Sequence, residues 1–215
     1  MARSTYAGAV TPSADARPYH HGNLRTALLE AAERRLAEHG ADAIALRDLA
    51  REIGVSHAAP RRHFADRQAL LDALAISGFA RLDERLRAAV DDAAADSSAR
   101  MRAVASTYTR FATENASLLD LMYTSKHRPG GEAILEAAEA PFSLLSDLIE
   151  QGQRENTLTC EDLTGSATVL FASLHGIATM INGGFVPAAQ LEGLTDIAVT
   201  QFLQAAGPAP DADQR

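Results

Sequence analysis

Between Leu46 and Phe64 the chain reads LRDLAREIGVSHAAPRRHF. The first eight residues space their apolar side chains at helical intervals, and Gly54 then interrupts the pattern. A glycine there admits a positive φ at little cost, so the backbone can turn between two short helices. Ala50 is small enough for those helices to cross closely, and Leu49, Ile53 and Val55 point inward to hold them together. Ser56 offers a hydroxyl cap for the second helix, expected over residues 57–64. Pro60 then falls near its start, where a missing N–H forfeits at most the first intrahelical bond. This is helix-turn-helix spacing.

The rest of the chain keeps the same period. Asn23 can cap a helix whose apolar stripe is Leu24, Leu28, Ala31, Ala32 and Leu36, and Gly40 stops it. Asp66 caps a long helix that Arg67 opens. After a break at 95–99, helices are expected near 100–115, 117–125, 132–153, 161–183 and 191–206, with a Pro- and Gly-bearing loop at 126–131. No strand alternation of useful length occurs. The 215 residues are 47% apolar, enough for a substantial core. The expected fold is all-α: an N-terminal three-helix helix-turn-helix DNA-binding domain (19–66) and a C-terminal helical ligand-binding and dimerisation bundle (67–207), with disordered tails at 1–18 and 208–215.

Charge narrows the function. The net charge is −8, yet nine Arg face seven acids from Arg17 to Arg67, and five of the seven His lie there. Such asymmetry suits a polyanion at one end. The short helix at 57–64 is the candidate for a major groove: Arg61, Arg62 and His63 lie on its outer side, Phe64 turns inward, and its N-terminus brings free N–H groups toward phosphate. Cys160 is the single cysteine, so no internal disulfide forms and a reducing, cytoplasmic location is expected. No membrane span and no signal peptide are expected. There is no Gly-x-Ser-x-Gly, no phosphate-cradling glycine loop and no His-x-x-x-His. Neither an enzyme, a cofactor nor a metal is expected.

The stretch LRDLAREIGVSHAAPRRHFADRQALL resembles the N-terminal domain of the TetR family of bacterial transcriptional regulators. The shared pattern is Gly54-Val55-Ser56, His63-Phe64, Arg67 and Leu70-Leu71. YHHGNLR (19–25), YTRFATENASLLDLMY (108–123) and LFASLHGIATM (170–180) are similar to a subgroup named for a Trp-His-Gly signature, in which Leu174 here replaces Trp. By resemblance and position, DNA-backbone contacts are expected from His21, Gly22, Arg47, Ser56, Arg61, His63 and Arg67. Base readout is expected from His57, Ala58 and Arg62, with the Ala59 methyl available to thymine. Arg61 stands where the family commonly has a phosphate-touching Tyr, and it could instead reach a guanine edge. His63 has an alternative role, packing the two short helices together. Ala45 stands where a Thr or Ser cap is common, which removes about 1 kcal/mol of capping.

The helix at 161–183 is apolar almost all round, so one side faces its own core and the other a partner. With 191–206 it would form a symmetric homodimer interface containing Gly165, Val169, Ala172 and Gly176, the small Gly165, Ala172 and Gly176 allowing close approach. A dimer sets two probe helices against the half-sites of a palindromic operator. Tyr108, Phe111, Asn115, Met122, Tyr123, Phe142, Phe171, His175 and Met180 are candidates for lining a pocket for a small apolar ligand. The expected function is a ligand-responsive homodimeric repressor released from double-stranded operator DNA by that ligand. The alternative is a helical small-molecule-binding protein with lost or altered DNA recognition.

Overall fold

The computed structural model describes residues 24–126, 128–159 and 162–207. Asn23, Cys160 and both tails lie outside them. Helix α1 (Leu24–His39) buries the five-residue stripe read from the sequence, and Gly40 ends it at φ +75°. A 3₁₀ turn (Ala41–Ala43) leads to α2 (Leu46–Glu52), whose cap residue Ala45 makes no side-chain bond. Arg34 and Arg35 of α1 both reach Glu52, at 3.1 and 3.5 Å, and so fasten α2 to α1. Gly54 turns at φ +74° with open space around it, so the backbone conformation alone calls for glycine.

The second short helix differs from expectation. Residues 57–59 are turns, and only Pro60–Arg62 winds further, as a 3₁₀ turn. Pro60 is the cause. An α-helix would send its N–H to the Ser56 carbonyl; lacking one, that carbonyl accepts from Ala59 N at 3.0 Å instead. The next bonds, Arg62 N to Ala59 O (3.2 Å) and His63 N to Pro60 O (3.0 Å), keep the tighter spacing. Ser56 caps with its backbone and not with its hydroxyl. Pro60 and Phe64 are both buried and pin the turn to the core.

Helix α3 (Arg67–Asp92) is capped by Asp66, whose carboxylate accepts from Ala69 N at 2.8 Å. Its first turns bury Leu70, Leu71 and Leu74, and its later turns bury Phe79, Leu82 and Leu86. It packs on α1 and then on α4 (Ser97–Glu114), α5 (Ala116–Ser125) and α6 (Glu132–Arg154). One rod therefore belongs to both halves of the molecule. Arg81 on α3 meets Glu33 on α1 at 2.7 Å, and Gly78 lets α5 approach closely: a Cβ there would lie 2.6 Å from Met122 Sδ. Helix α4 starts earlier than expected because Asp96 caps it, accepting from Ala99 N at 2.9 Å.

Helices α7 (Leu163–Asn182) and α8 (Leu191–Ala206) close the bundle. Asp162 caps α7 by accepting from Gly165 N at 2.9 Å, which sets its start at Leu163. On α7, Ala167, Leu170, Leu174 and Ala178 are buried, against neighbours α4, α6 and α8. By length and composition α7 could cross a bilayer, but Thr168, Ser173, His175 and Thr179 interrupt its apolar surface. Arg102 and Arg110 of α4 pair with Asp196 and Glu192 of α8, so α8 is held to α4 by ions at the surface. Among the described residues there is no strand.

Candidate functional site

The turn after Gly54 makes a cationic knob. Ser56, His57, Ala58, Arg61, Arg62 and His63 are exposed, while Pro60 and Phe64 anchor them from below. The Arg25 guanidinium lies 5.4 Å from the Phe64 ring centroid and adds a third cation beside the knob. Among the described residues Arg61 and Arg62 form no ion pair, so both are free to meet phosphate. Arg47 is exposed at the start of α2, 3.9 Å from Asp48.

Three expectations change here. Arg67 is engaged by the protein itself: its Nε donates to the Ile44 carbonyl at 3.0 Å and its Nη2 to the Ala41 carbonyl at 2.6 Å, with Asp42 at 3.6 Å. It clamps the loop before α2 to the start of α3 and is not a free phosphate contact. Ala59 is half-buried against the core, so its methyl is not presented to a groove. His63 is exposed, which removes the packing alternative. His21 and Gly22 lie outside the described residues.

Inside the bundle α3, α4, α6 and α7 surround an apolar slot of about 450 Å³, its open mouth included. Leu82 and Leu86 of α3 line one wall, and Tyr108, Phe142, Phe171 and Leu174 line others. The slot is narrow, so anything much larger than water must push side chains apart to fill it. Its aromatic lining is interlocked: Phe142 and Phe171 meet edge to face at 4.8 Å, and Tyr108 meets Phe171 at 5.4 Å.

Two tyrosines of the lining carry polar ends, and they meet His175, which borders an outer cleft beside the slot. The Tyr108 hydroxyl lies 2.9 Å from His175 Nδ1 and 3.4 Å from the Tyr123 hydroxyl. Burial pushes the Tyr108 phenol well above its ordinary range, and the neighbouring Tyr123 adds to it. Burial likewise pushes Tyr123 up to about 12. His175 is held below the usual histidine value, first by burial and then by the charge of Lys126. Around pH 7 all three rings are neutral.

Other pocket candidates fall elsewhere. Phe111 is buried away from the slot, beneath the Arg85 guanidinium at 5.5 Å, and Met122 fills the α3–α5 crossing. Asn115 sits at the α4–α5 corner, where its Nδ2 donates to the Phe111 carbonyl at 2.9 Å and it borders a separate cleft beside α1. Met180 is 49% exposed. In their place the slot takes Leu82, Leu86, Val104, Pro141 and Leu145. Aliphatic side chains on a helix give the sequence no sign that one side of them is empty.

Residues 28–74 match the model for bacterial regulatory proteins of the tetR family, and residues 101–202 match the model for a tetracyclin repressor-like C-terminal domain. The chain belongs to the TetR family. It is therefore a transcriptional regulator with a helix-turn-helix DNA-binding domain. A protein of unknown function from Rhodococcus sp. RHA1 is 44% identical, with TM-score 0.84 over 89% of this chain and 100% of that one. Two further structures share the fold. A tetR-family regulatory protein from Rhodococcus RHA1 is 17% identical, with TM-score 0.68 over 86% of this chain and 98% of that one. The regulator FadR from Bacillus subtilis, in complex with stearoyl-CoA, is 14% identical, with TM-score 0.71 over 83% and 97%. No curated protein matches the sequence.

In this TetR-family chain the outer faces of α7 and α8 are uncovered. Val169 (65%) and Ile197 (52%) are exposed, and Ala172 is open beside them. Gly176 is half-buried, and a Cβ there would meet nothing within 4 Å. Gly165 has a local role as well: it receives the Asp162 cap, and a Cβ there would collide with that carboxylate.

Proposed function

We propose that this regulator is a homodimeric repressor that binds a palindromic operator and is released by a small apolar ligand. The observation that carries this reading is the double membership of α3. Its start is clamped to the DNA-reading half by Arg67, and Leu82 and Leu86, about four to five turns later, form a wall of the slot. A narrow slot filled by a ligand must move its walls, and moving this wall re-aims the knob. A ligand acts only if it binds the moved arrangement better than the arrangement that fits DNA. That a protein of the same fold is solved with an acyl-CoA bound supports an apolar ligand.

The uncovered faces of α7 and α8 form the dimer contact in this reading, with Val169, Ala172 and Gly176 at its centre. Two knobs then face two half-sites about one helical turn, roughly 34 Å, apart. On each knob, Arg61, His63 and Ser56 meet the backbone together with Arg47, while His57, Ala58 and Arg62 face base edges. Fluorescence anisotropy with labelled duplex from upstream of the protein's own gene tests the reading, with apolar compounds titrated into the complex. Tight binding reversed by such a compound is the expected result. A chain that binds the compounds and ignores every duplex at low salt would instead be a ligand-binding protein without DNA recognition.

A further inference from the structure

Resting on the reading of the slot as the ligand site, we propose that its ligand is an apolar molecule with one anionic head, such as a carboxylate, held by Lys126. Lys126 is the only lysine in a chain that otherwise uses Arg for its basic side chains. Its ammonium lies 4.6 Å from the Tyr123 ring centroid and 5.1 Å from that of Phe142, and both rings line the slot. Among the described residues it forms no ion pair, whereas twelve arginine–carboxylate contacts occur there. Asp120, the acid on the neighbouring outer cleft, is exposed and not paired with it. A half-buried cation over ring faces keeps capacity for an anion, since cation–π attraction supplies only part of what a carboxylate would. Burial lowers the lysine's affinity for its proton, which an arriving anion would reverse.

The groups beside Lys126 are donors or are occupied with one another. With Tyr108 and Tyr123 protonated and His175 neutral, a Tyr108 hydroxyl that donates to His175 Nδ1 leaves the imidazole proton on Nε2. The Lys126 ammonium is then the charged group left for a head group, with no carboxylate paired to it among the described residues. The apolar remainder of the slot accepts a tail. A neutral ligand of the same length would fill the tail space and leave Lys126 as it is.

The test compares decanoate with 1-decanol on the full-length protein by calorimetric titration. Decanoate should bind about tenfold tighter, as a charge-assisted contact in a partly desolvated site requires. Lys126→Met should erase that preference while keeping 1-decanol binding, and Lys126→Arg should retain most of it. Because there is one lysine, its Cε–Hε signal is a single NMR reporter: decanoate should move its titration midpoint upward and 1-decanol should not. Equal affinity for the two compounds, or a preference that survives Lys126→Met, overturns the anionic head and leaves the slot intact as an apolar site. If neither compound binds, the reading of the slot as a ligand site falls with it.

Discussion

Two arginines six residues apart do unlike work. Arg61 projects from a turn with no ion-pair partner among the described residues, so Arg61→Ala should weaken binding to operator and unrelated duplex alike. It should also reduce the slope of log affinity against log salt by about one unit, since one fewer counterion is displaced. Arg67 spends its fork on two backbone carbonyls. Arg67→Met should cost about 2 kcal/mol in urea unfolding, because bonds from a charged donor to half-buried carbonyls are lost, and should leave the salt slope unchanged. The sequence could not separate the two, because the carbonyls that capture Arg67 belong to a loop whose folded path no side-chain pattern records. Lys126 is likewise silent in the sequence, where its arginine-rich company reads as codon bias. One of the rings beneath it comes from α6, sixteen residues away. The tyrosines add a pH prediction. Tyr123 is raised to about 12 and Tyr108 further, against an ordinary value near 10. Between pH 10 and 12 the unfolded chain loses phenolic protons that the native chain keeps. Stability from this source is therefore full below pH 10 and falls as pH rises through that window. Thermal unfolding against pH, with absorbance at 295 nm following phenolate, checks it.

At the scale of elements, local rules were strong where one residue decides the backbone. Gly40 and Gly54 take positive φ, Asp66 caps α3, and the α1 stripe is buried as read. They were weaker at Pro60. Its place near a helix start suggests an α-helix that tolerates it, whereas the lost N–H in fact shifts the Ser56 carbonyl to the tighter spacing and keeps the element a turn. Pro60→Ala should restore that donor and lengthen the helix, giving a small gain in helical circular dichroism. The α3–α5 crossing depends on Gly78, which has no sequence signature because it lies in the middle of a good helical period. Gly78→Val should destabilise by about 2 kcal/mol, since overpacking must displace Met122 and Leu118 together. Calorimetry would register this as a lowered Tm, and α3, the rod that joins both halves, would be the element disturbed.

For the whole molecule, the proposed function makes α3 the lever that joins slot to knob, and assigns the open faces of α7 and α8 to pairing two such levers. Ile197→Glu sets a charge in the centre of the proposed contact while leaving the protomer's own core untouched, as Ile197 is half exposed. It should yield a folded monomer in sedimentation velocity and abolish tight operator binding, because one knob alone has too few contacts. The all-α architecture was legible from helical period and glycine placement, and the DNA-reading end from helix-turn-helix spacing and charge asymmetry. The lining of the slot was legible only in its aromatic part, because an empty space beside a leucine leaves no mark on the leucine. The proposed repressor needs a twofold pair of cationic turns reading duplex DNA, and selection of bound fragments from a random duplex pool by the full-length protein measures that directly. The expected result is enrichment of an inverted repeat with half-site centres about one turn apart. Enrichment of a single asymmetric site, or none at low salt, would contradict it.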